Sequence, residues 1–121
     1  MATIKSFTNL SQSKTLSKIL SLESADFCYF KTHVRDNWMG IPEYEFCSMP
    51  HKDYSGESIG CWSLTALLSV LPNPSLHETF SGWRCDSYNK EFTSCILGES
   101  SDNPIDACYE MILKLHEQNL L

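Results

Sequence analysis

The chain is 121 residues long, the length of one ordinary domain, and 42% of its residues are hydrophobic, enough to build a core. Its formal net charge of −6 argues against general binding to DNA, RNA or anionic lipid, because Lys and Arg mediate such binding. We therefore predict a single domain over residues 1–121, with residues 1–10 loosely held.

The sequence indicates a cytoplasmic protein with reduced thiols. No stretch approaches the roughly 20 apolar residues that span a bilayer, and residues 1–10 contain no apolar run that would serve as a secretory signal. The six cysteines include no Cys-x-x-Cys pair, so we expect free thiols, most of them packed as small apolar groups. Cys47, His51 and Cys61 are the candidate zinc ligands, but they form one loose pair rather than two paired knuckles. We predict no metal, no cofactor and no disulfide.

The first half of the chain predicts one short helix and two strands. A thin stripe of leucine and isoleucine predicts a helix over residues 11–20. Aromatic and β-prone residues favour a strand over residues 26–35. Weak alternation over residues 43–49 favours a second strand, and the polar stretch 50–60 is typical of a long loop.

The second half contains two clearly signalled helices. Ser63 is suited to cap a helix that ends before Pro72. Asn103 caps the C-terminal helix, predicted over residues 104–118, and Pro104 falls at the first helical position, where its missing N–H costs nothing. Apolar residues at spacings of three and four give this helix one wide stripe, which a sheet or other helices must cover.

Between these helices we predict two strands, over residues 78–88 and 91–97, joined by a tight turn at residues 87–90. The order of elements suits an α+β fold: a small antiparallel sheet with about three helices packed on one face.

Cys61 is the candidate catalytic residue. It precedes a predicted helix N-terminus, where the helix dipole lowers the pKa of a thiol. The segment Gly60-Cys61-Trp62-Ser63-Leu64 resembles the nucleophile segment of papain-type cysteine proteases. His77 and His116 lie downstream as possible bases. However, Ser55 replaces the family's oxyanion glutamine, and the chain is too short for the two-lobed fold. A small cysteine hydrolase is therefore the alternative function, and a buried structural thiol is the simpler interpretation.

Cationic residues suggest a second kind of site. Lys31, His33 and Arg35 alternate along the predicted strand and therefore share a face. Together with Arg84 they are candidates for binding a small anionic, nucleotide-like ligand. A solvated sheet face is the commoner explanation of such a charge run.

Aromatic residues suggest a third kind of site. Tyr29, Trp38, Tyr44 and Tyr54 are candidates for a protein-binding surface, because aromatic side chains are enriched at interfaces. The sequence contains no Gly-rich phosphate loop, Gly-x-Ser-x-Gly, paired-His metal motif or kinase signature. We therefore predict a non-catalytic binding protein rather than an enzyme.

Several segments together carry a resemblance: Ser24-Ala25-Asp26-Phe27, Cys61-Trp62-Ser63-Leu64, Gly82-Trp83 and Asp102-Asn103-Pro104-Ile105-Asp106-Ala107-Cys108. They resemble small uncharacterised proteins carried by phages and mobile elements of gut Bacteroidetes. The resemblance implies an intracellular setting and a host protein or small signalling molecule as partner, and it brings no binding residues with it. We expect a monomer or a small homo-oligomer.

Overall fold

A computed structural model describes residues 5–31, 44–47 and 58–121. Its elements are α1 (Leu10–Leu16), a 3-10 turn (Leu22–Ser24), β1 (Phe27–Lys31), β2 (Tyr44–Cys47), β3 (Ser58–Cys61), α2 (Leu64–Val70), β4 (Pro74–Thr79), β5 (Gly82–Tyr88), β6 (Cys95–Ser101) and α3 (Pro104–Glu117). The predicted α+β class is confirmed, with the strands divided between two antiparallel sheets. No helix of the described residues is long and apolar enough to cross a membrane.

Contacts divide the chain into two compact units. The N-terminal unit is Asn9–Trp62, and the C-terminal unit is Ser63–Leu121 together with Met1–Thr8. The single domain over residues 1–121 stays a prediction.

In the N-terminal unit, three antiparallel strands pair in the order β2-β1-β3. Helix α1 packs against β3 and begins with a capping box. The Asn9 side chain accepts from the backbone N–H of Gln12 at 2.8 Å. The Gln12 side chain in turn accepts from the backbone N–H of Asn9 at 3.1 Å. The helix ends at Leu16 rather than at residue 20, because the stripe is thin: Leu16 is buried, whereas residues 17–20 are half-buried or exposed.

Strand β3 corrects the predicted loop over residues 50–60, of which residues 50–57 lie outside the described part. The strand packs against Trp62, which is fully buried and donates its indole N–H to Ser24 Oγ at 3.0 Å. A Cβ on Gly60 would lie 2.7 Å from the Trp62 ring. Glycine at this position therefore allows the ring to lie close to the strand, an arrangement that alternation alone does not reveal. Strand β1 ends at Lys31, and residues 32–35 of the predicted strand lie outside the described part.

In the C-terminal unit, three antiparallel strands pair in the order β4-β5-β6. Helix α3 packs against β5 and β6, and α2 packs against α3. The prediction of one continuous strand over residues 78–88 was wrong. These residues span the end of β4, the turn at Phe80 and Ser81, and β5. Gly82 has a φ of 150°, and a Cβ there would overlap the Ser101 carbonyl, so the chain turns where glycine is required.

The start of the second predicted strand, over residues 91–97, was displaced as well. β6 begins at Cys95, not at residue 91. Asn89 opens a longer loop instead of a tight turn, because its side chain accepts hydrogen bonds from the backbone N–H groups of Thr93 and Ser94.

Helix α3 follows its sequence signals closely. Asn103 accepts from the backbone N–H of Asp106 at 2.9 Å, and the buried stripe consists of Ile105, Ala107, Cys108, Met111, Ile112 and Leu115. Asp106 also pairs with Lys5 at 2.8 Å, and Thr8 is fully buried. Residues 5–8 are thus held by contacts, contrary to the prediction for residues 1–10, of which residues 1–4 lie outside the described part.

Candidate functional site

An apolar groove lies in the C-terminal unit, between the loop that joins β5 to β6 and the end of α3. Its volume is about 420 Å³. Its apolar lining consists of Pro72, Tyr88, Ile96, Leu115 and Leu120. We call it the α3 groove, and three local features of the sequence build it.

The first feature is the end of α3. Asn119 adopts a φ of 59°, and its backbone N–H donates to the His116 carbonyl at 3.1 Å. The Leu120 N–H then donates to the Leu115 carbonyl at 2.8 Å. This pair of bonds is a Schellman motif with asparagine in the left-handed position. It ends the helix and returns Leu120 to the groove wall beside Leu115, where it stays 48% exposed.

The second feature is a β-bulge. Ser87 pairs with Leu97, whereas Tyr88 pairs with Cys95. Ile96 therefore has no partner on β5. An extra residue of this kind bends the strand and redirects a side chain. Ile96 lines the groove and is 49% exposed.

The third feature is a strained aromatic residue. Phe92 has a φ of 57°, in a backbone region that costs an L-residue about 1–2 kcal/mol. Asn89 holds this loop, since its Oδ1 accepts from the backbone N–H of Thr93 at 2.9 Å. The Phe92 ring stacks on Tyr88 with centroids 5.9 Å apart and remains 56% exposed. Backbone strain that keeps an aromatic ring in water supports a hypothesis of function.

The rim of the groove is polar. Lys90 and Glu91 line it with opposite charges, and both are exposed. Asn73 donates from Nδ2 to the Tyr88 carbonyl at 3.3 Å, and Ser87 Oγ donates to the Pro72 carbonyl at 2.7 Å. The groove thus has an apolar floor and a charged rim, which is the usual anatomy of a protein interface.

The predicted protein-binding aromatic residues lie elsewhere. Tyr29 and Tyr44 belong to the sheet of the N-terminal unit and are half-buried, while Trp38 and Tyr54 lie outside the described residues. The Tyr29 ring meets Phe46 edge-on at 6.0 Å, and Lys14 Nζ lies 5.0 Å from the Tyr44 ring centroid. Both tyrosines therefore take part in packing within their own unit.

Burial changes the chemistry of Tyr29. Loss of hydration, assisted by the neighbouring Cys61 thiol, raises the pKa of Tyr29 to about 12. The phenol therefore stays neutral well into the alkaline range, where an ordinary tyrosine ionises, and its hydroxyl bonds to the Cys61 thiol.

Of the predicted anion-binding residues, the structure describes the side chain of Arg84 alone. His33, Arg35 and the side chain of Lys31 lie outside the described part. Arg84 Nε donates to Asp86 Oδ1 at 2.7 Å, and the Asp86 carboxylate is buried. A Cβ on Gly98 would overlap both groups, so the guanidinium and the carboxylate lie directly over the Gly98 backbone. The charge of Arg84 is balanced by Asp86, and the predicted convergence of four cations stays a prediction.

The alternative catalytic residues fall in different units. Cys61 ends β3 in the N-terminal unit and has no exposed surface. His77 is an exposed residue of β4 in the C-terminal unit, opposite Arg84. Ser63, not Cys61, caps α2, because its side chain accepts from the Ala66 N–H at 3.2 Å. The burial of Cys61 favours a structural thiol.

The described cysteines also offer no metal site. Within residues 5–31, 44–47 and 58–121, no cluster of three or more His, Cys, Asp or Glu residues is placed to hold an ion. His51 and the side chain of Cys47 lie outside that part. Cys85 and Cys108 are fully buried with their sulfurs 3.8 Å apart. The hydrogen bond between them, together with burial, raises the pKa of the Cys108 thiol, so both pack as core groups.

Comparison of the chain with protein-family profiles, curated proteins and solved structures finds no match. The α3 groove was missed by sequence reasoning, which assigned Phe92 and Ile96 to one strand. The available signals were Asn89 and Asn119, residues that favour loops and helix ends, which mark the loop and the fold-back that build the groove.

Proposed function

We propose that the chain is a non-catalytic binding protein of phage or mobile-element type whose α3 groove docks a host protein. The observation that carries the proposal is that three exposed apolar side chains lie at one groove: Ile96 and Leu120 line it, and Phe92 stacks on the half-buried Tyr88 in its wall. Single exposed apolar residues are ordinary, whereas adjoining ones mark an interaction site.

A protein fits this surface better than a small molecule. The groove volume of about 420 Å³ lies within the range of small-molecule pockets. However, Phe92 stacks on the wall at Tyr88 and is not part of the lining, so a small molecule inside would leave it in water. A protein segment that inserts one or two apolar side chains covers the ring as well and meets Lys90 and Glu91 with its polar flanks.

The resemblance to phage and mobile-element proteins supports the choice of a host protein as the partner. The alternative of anion sequestration gains no support from Arg84, whose charge Asp86 balances. The alternative of a cysteine hydrolase gains none from Cys61, which a substrate would have to reach through covering side chains.

Photocrosslinking tests the proposal. A photoreactive phenylalanine analogue replaces Phe92 in one variant and Phe80 in a matched control, and each is expressed in gut Bacteroidetes cells. Phe80 is a fully exposed aromatic residue at the other end of β5. We expect a specific protein adduct from position 92 and none from position 80.

The protein found in the adduct is then purified in unmodified form as the partner. Its affinity for the chain is measured by calorimetry. Ile96→Ser and Leu120→Ser should each weaken binding by about 2 kcal/mol, roughly 30-fold in Kd, as expected for anchors at an interface centre. Phe80→Ser should leave Kd unchanged. Equal affinity of the wild type and both groove variants would contradict the proposal.

A further inference from the structure

Two thiols are in contact in the core of the C-terminal unit. Cys85 lies on β5 and Cys108 on α3, and neither side chain has any exposed surface. The Cys108 thiol donates to the Cys85 sulfur at 3.8 Å. A disulfide bond holds its two sulfurs about 2 Å apart, so bonding requires a movement of roughly 2 Å, shared between the two side chains. We call these residues the core thiol pair.

Contact between the sulfurs, not burial, distinguishes this pair. Cys28 and Cys61 of the N-terminal unit are also fully buried. Cys28 lies opposite Gly60 in the pairing of β1 with β3, whereas Cys61 lies opposite Phe27. Because successive positions of a strand point to opposite faces, the side chains of Cys28 and Cys61 lie on different faces of their sheet.

The hydrogen bond gives the two sulfurs of the core thiol pair different roles. It lowers the pKa of the Cys85 thiol, against the opposing effects of burial and of the neighbouring Asp86, and it raises the pKa of the Cys108 thiol. The thiolate is the form of cysteine that attacks an oxidant. Cys85 is therefore the sulfur that reacts first.

The covering over Cys85 is thin. Leu76 and Glu99 flank it on the neighbouring strands, and both are half-buried, so solvent reaches the side chains on either side of Cys85. Hydrogen peroxide is little larger than water, and a local opening between these side chains admits it.

We propose that hydrogen peroxide oxidises the core thiol pair to a disulfide, which links α3 covalently to β5. The Cys85 thiolate attacks one peroxide oxygen, the O–O bond breaks, and water leaves while a sulfenic acid remains on Cys85. The Cys108 sulfur then attacks the Cys85 sulfur, the S–O bond breaks, and a second water leaves. The two thiols lose two electrons and two protons, and one peroxide is reduced to two waters.

The disulfide stabilises the C-terminal unit. It joins residues 23 positions apart, and such a crosslink restricts the unfolded chain. We expect oxidation to raise the Tm by about 10 °C. The protein therefore responds to peroxide by becoming more stable. This response depends on a contact in the core and not on the function proposed for the α3 groove.

Peptide mapping of the full-length Cys95→Ser variant tests the proposal. This substitution removes an exposed thiol, so the fold is retained. Trypsin places Cys85 in peptide 85–90 and Cys108 in peptide 91–114, which in this variant contains no other cysteine. The reduced protein is treated with hydrogen peroxide, and the remaining thiols are blocked with N-ethylmaleimide in denaturant. We expect the two peptides to be joined, with two hydrogens lost, and to separate again after treatment with dithiothreitol.

The buried thiols of the N-terminal unit serve as the internal control. The peptides of Cys28 and Cys61 should carry N-ethylmaleimide, because burial alone does not produce a link. A second control adds Cys108→Ser to the Cys95→Ser variant, and it should show neither the link nor the rise in Tm. Separate peptides, at a peroxide concentration that oxidises Cys95 of the wild type, would overturn the proposal. So would a linked protein whose Tm is unchanged or lower.

Discussion

Individual buried side chains set much of the stability of the C-terminal unit. Leu67 and Ile112 are both fully buried. Replacing either with Ala should lower the free energy of unfolding by about 2–5 kcal/mol, the usual cost of a large-to-small change in a core. Urea denaturation measures it. Leu120→Ala is the control and should cost much less, because Leu120 is half-exposed. Near-zero loss at both buried positions would refute the core assignment.

Tyr29 links stability to alkaline pH. Its folded pKa of about 12 lies above the ordinary value of 10.0, so the folded state favours the neutral phenol. The contribution of Tyr29 to the free energy of unfolding is fully present below the pKa of Tyr29 in the unfolded chain. It is lost as pH rises through the pKa of Tyr29 in the folded protein. The stability difference between wild type and Tyr29→Phe should therefore shrink as pH rises from 10.0 to about 12. The absorbance of tyrosinate, followed against pH, checks this. If the wild type showed a step at pH 10.0 that is absent from Tyr29→Phe, the pKa of Tyr29 would not be raised.

The ends of α3 show what local sequence determines. Asn103→Ala removes the acceptor for the Asp106 N–H and should destabilise the protein by about 1 kcal/mol. Asn103→Ser keeps a capping oxygen and should retain most of the stability. Thermal or urea unfolding of the two variants distinguishes them, and equal loss from both would show that the cap does not stabilise the helix.

Elements with local signals were predicted from the sequence. The helices that begin after Ser63 and Asn103 follow from a capping residue and an apolar stripe, both of which act within a few residues. Strand β3 was missed because Gly60 matters only when the Trp62 ring lies against it. The turn at Phe80 was missed because glycine is needed at position 82 only when the Ser101 carbonyl lies against it. Ser101 is 19 residues further along the chain.

The α3 groove was not predictable in the same way. Ile96 reaches it through a register shift between two strands, and Leu120 reaches it through the fold-back after Asn119. The register shift and the fold-back are each local features, but neither feature shows that Ile96 and Leu120 line the same groove. The predicted sites failed to indicate the groove because they were chosen by residue type, as cations and aromatic residues, rather than by exposure.

At the scale of the whole molecule, charge distinguishes the two kinds of partner. The chain carries a formal net charge of −6, and the α3 groove has an apolar floor with one lysine and one glutamate at its rim. Binding there should change little between low and high salt, because screening acts on exposed charges and leaves apolar burial intact. Calorimetry with the purified partner at several ionic strengths checks this. A steep loss of affinity with salt would instead favour charge-driven binding, as at a cationic site.

The most direct test of the docking role is methyl NMR of the full chain titrated with the purified partner. We predict that the methyl signals of Ile96, Leu115 and Leu120 shift or broaden on binding, because these residues line the α3 groove. Methyl signals of the N-terminal unit, such as that of Leu16, should stay in place. Unchanged groove methyls in a saturated complex, with shifts confined to the N-terminal unit, would contradict the account.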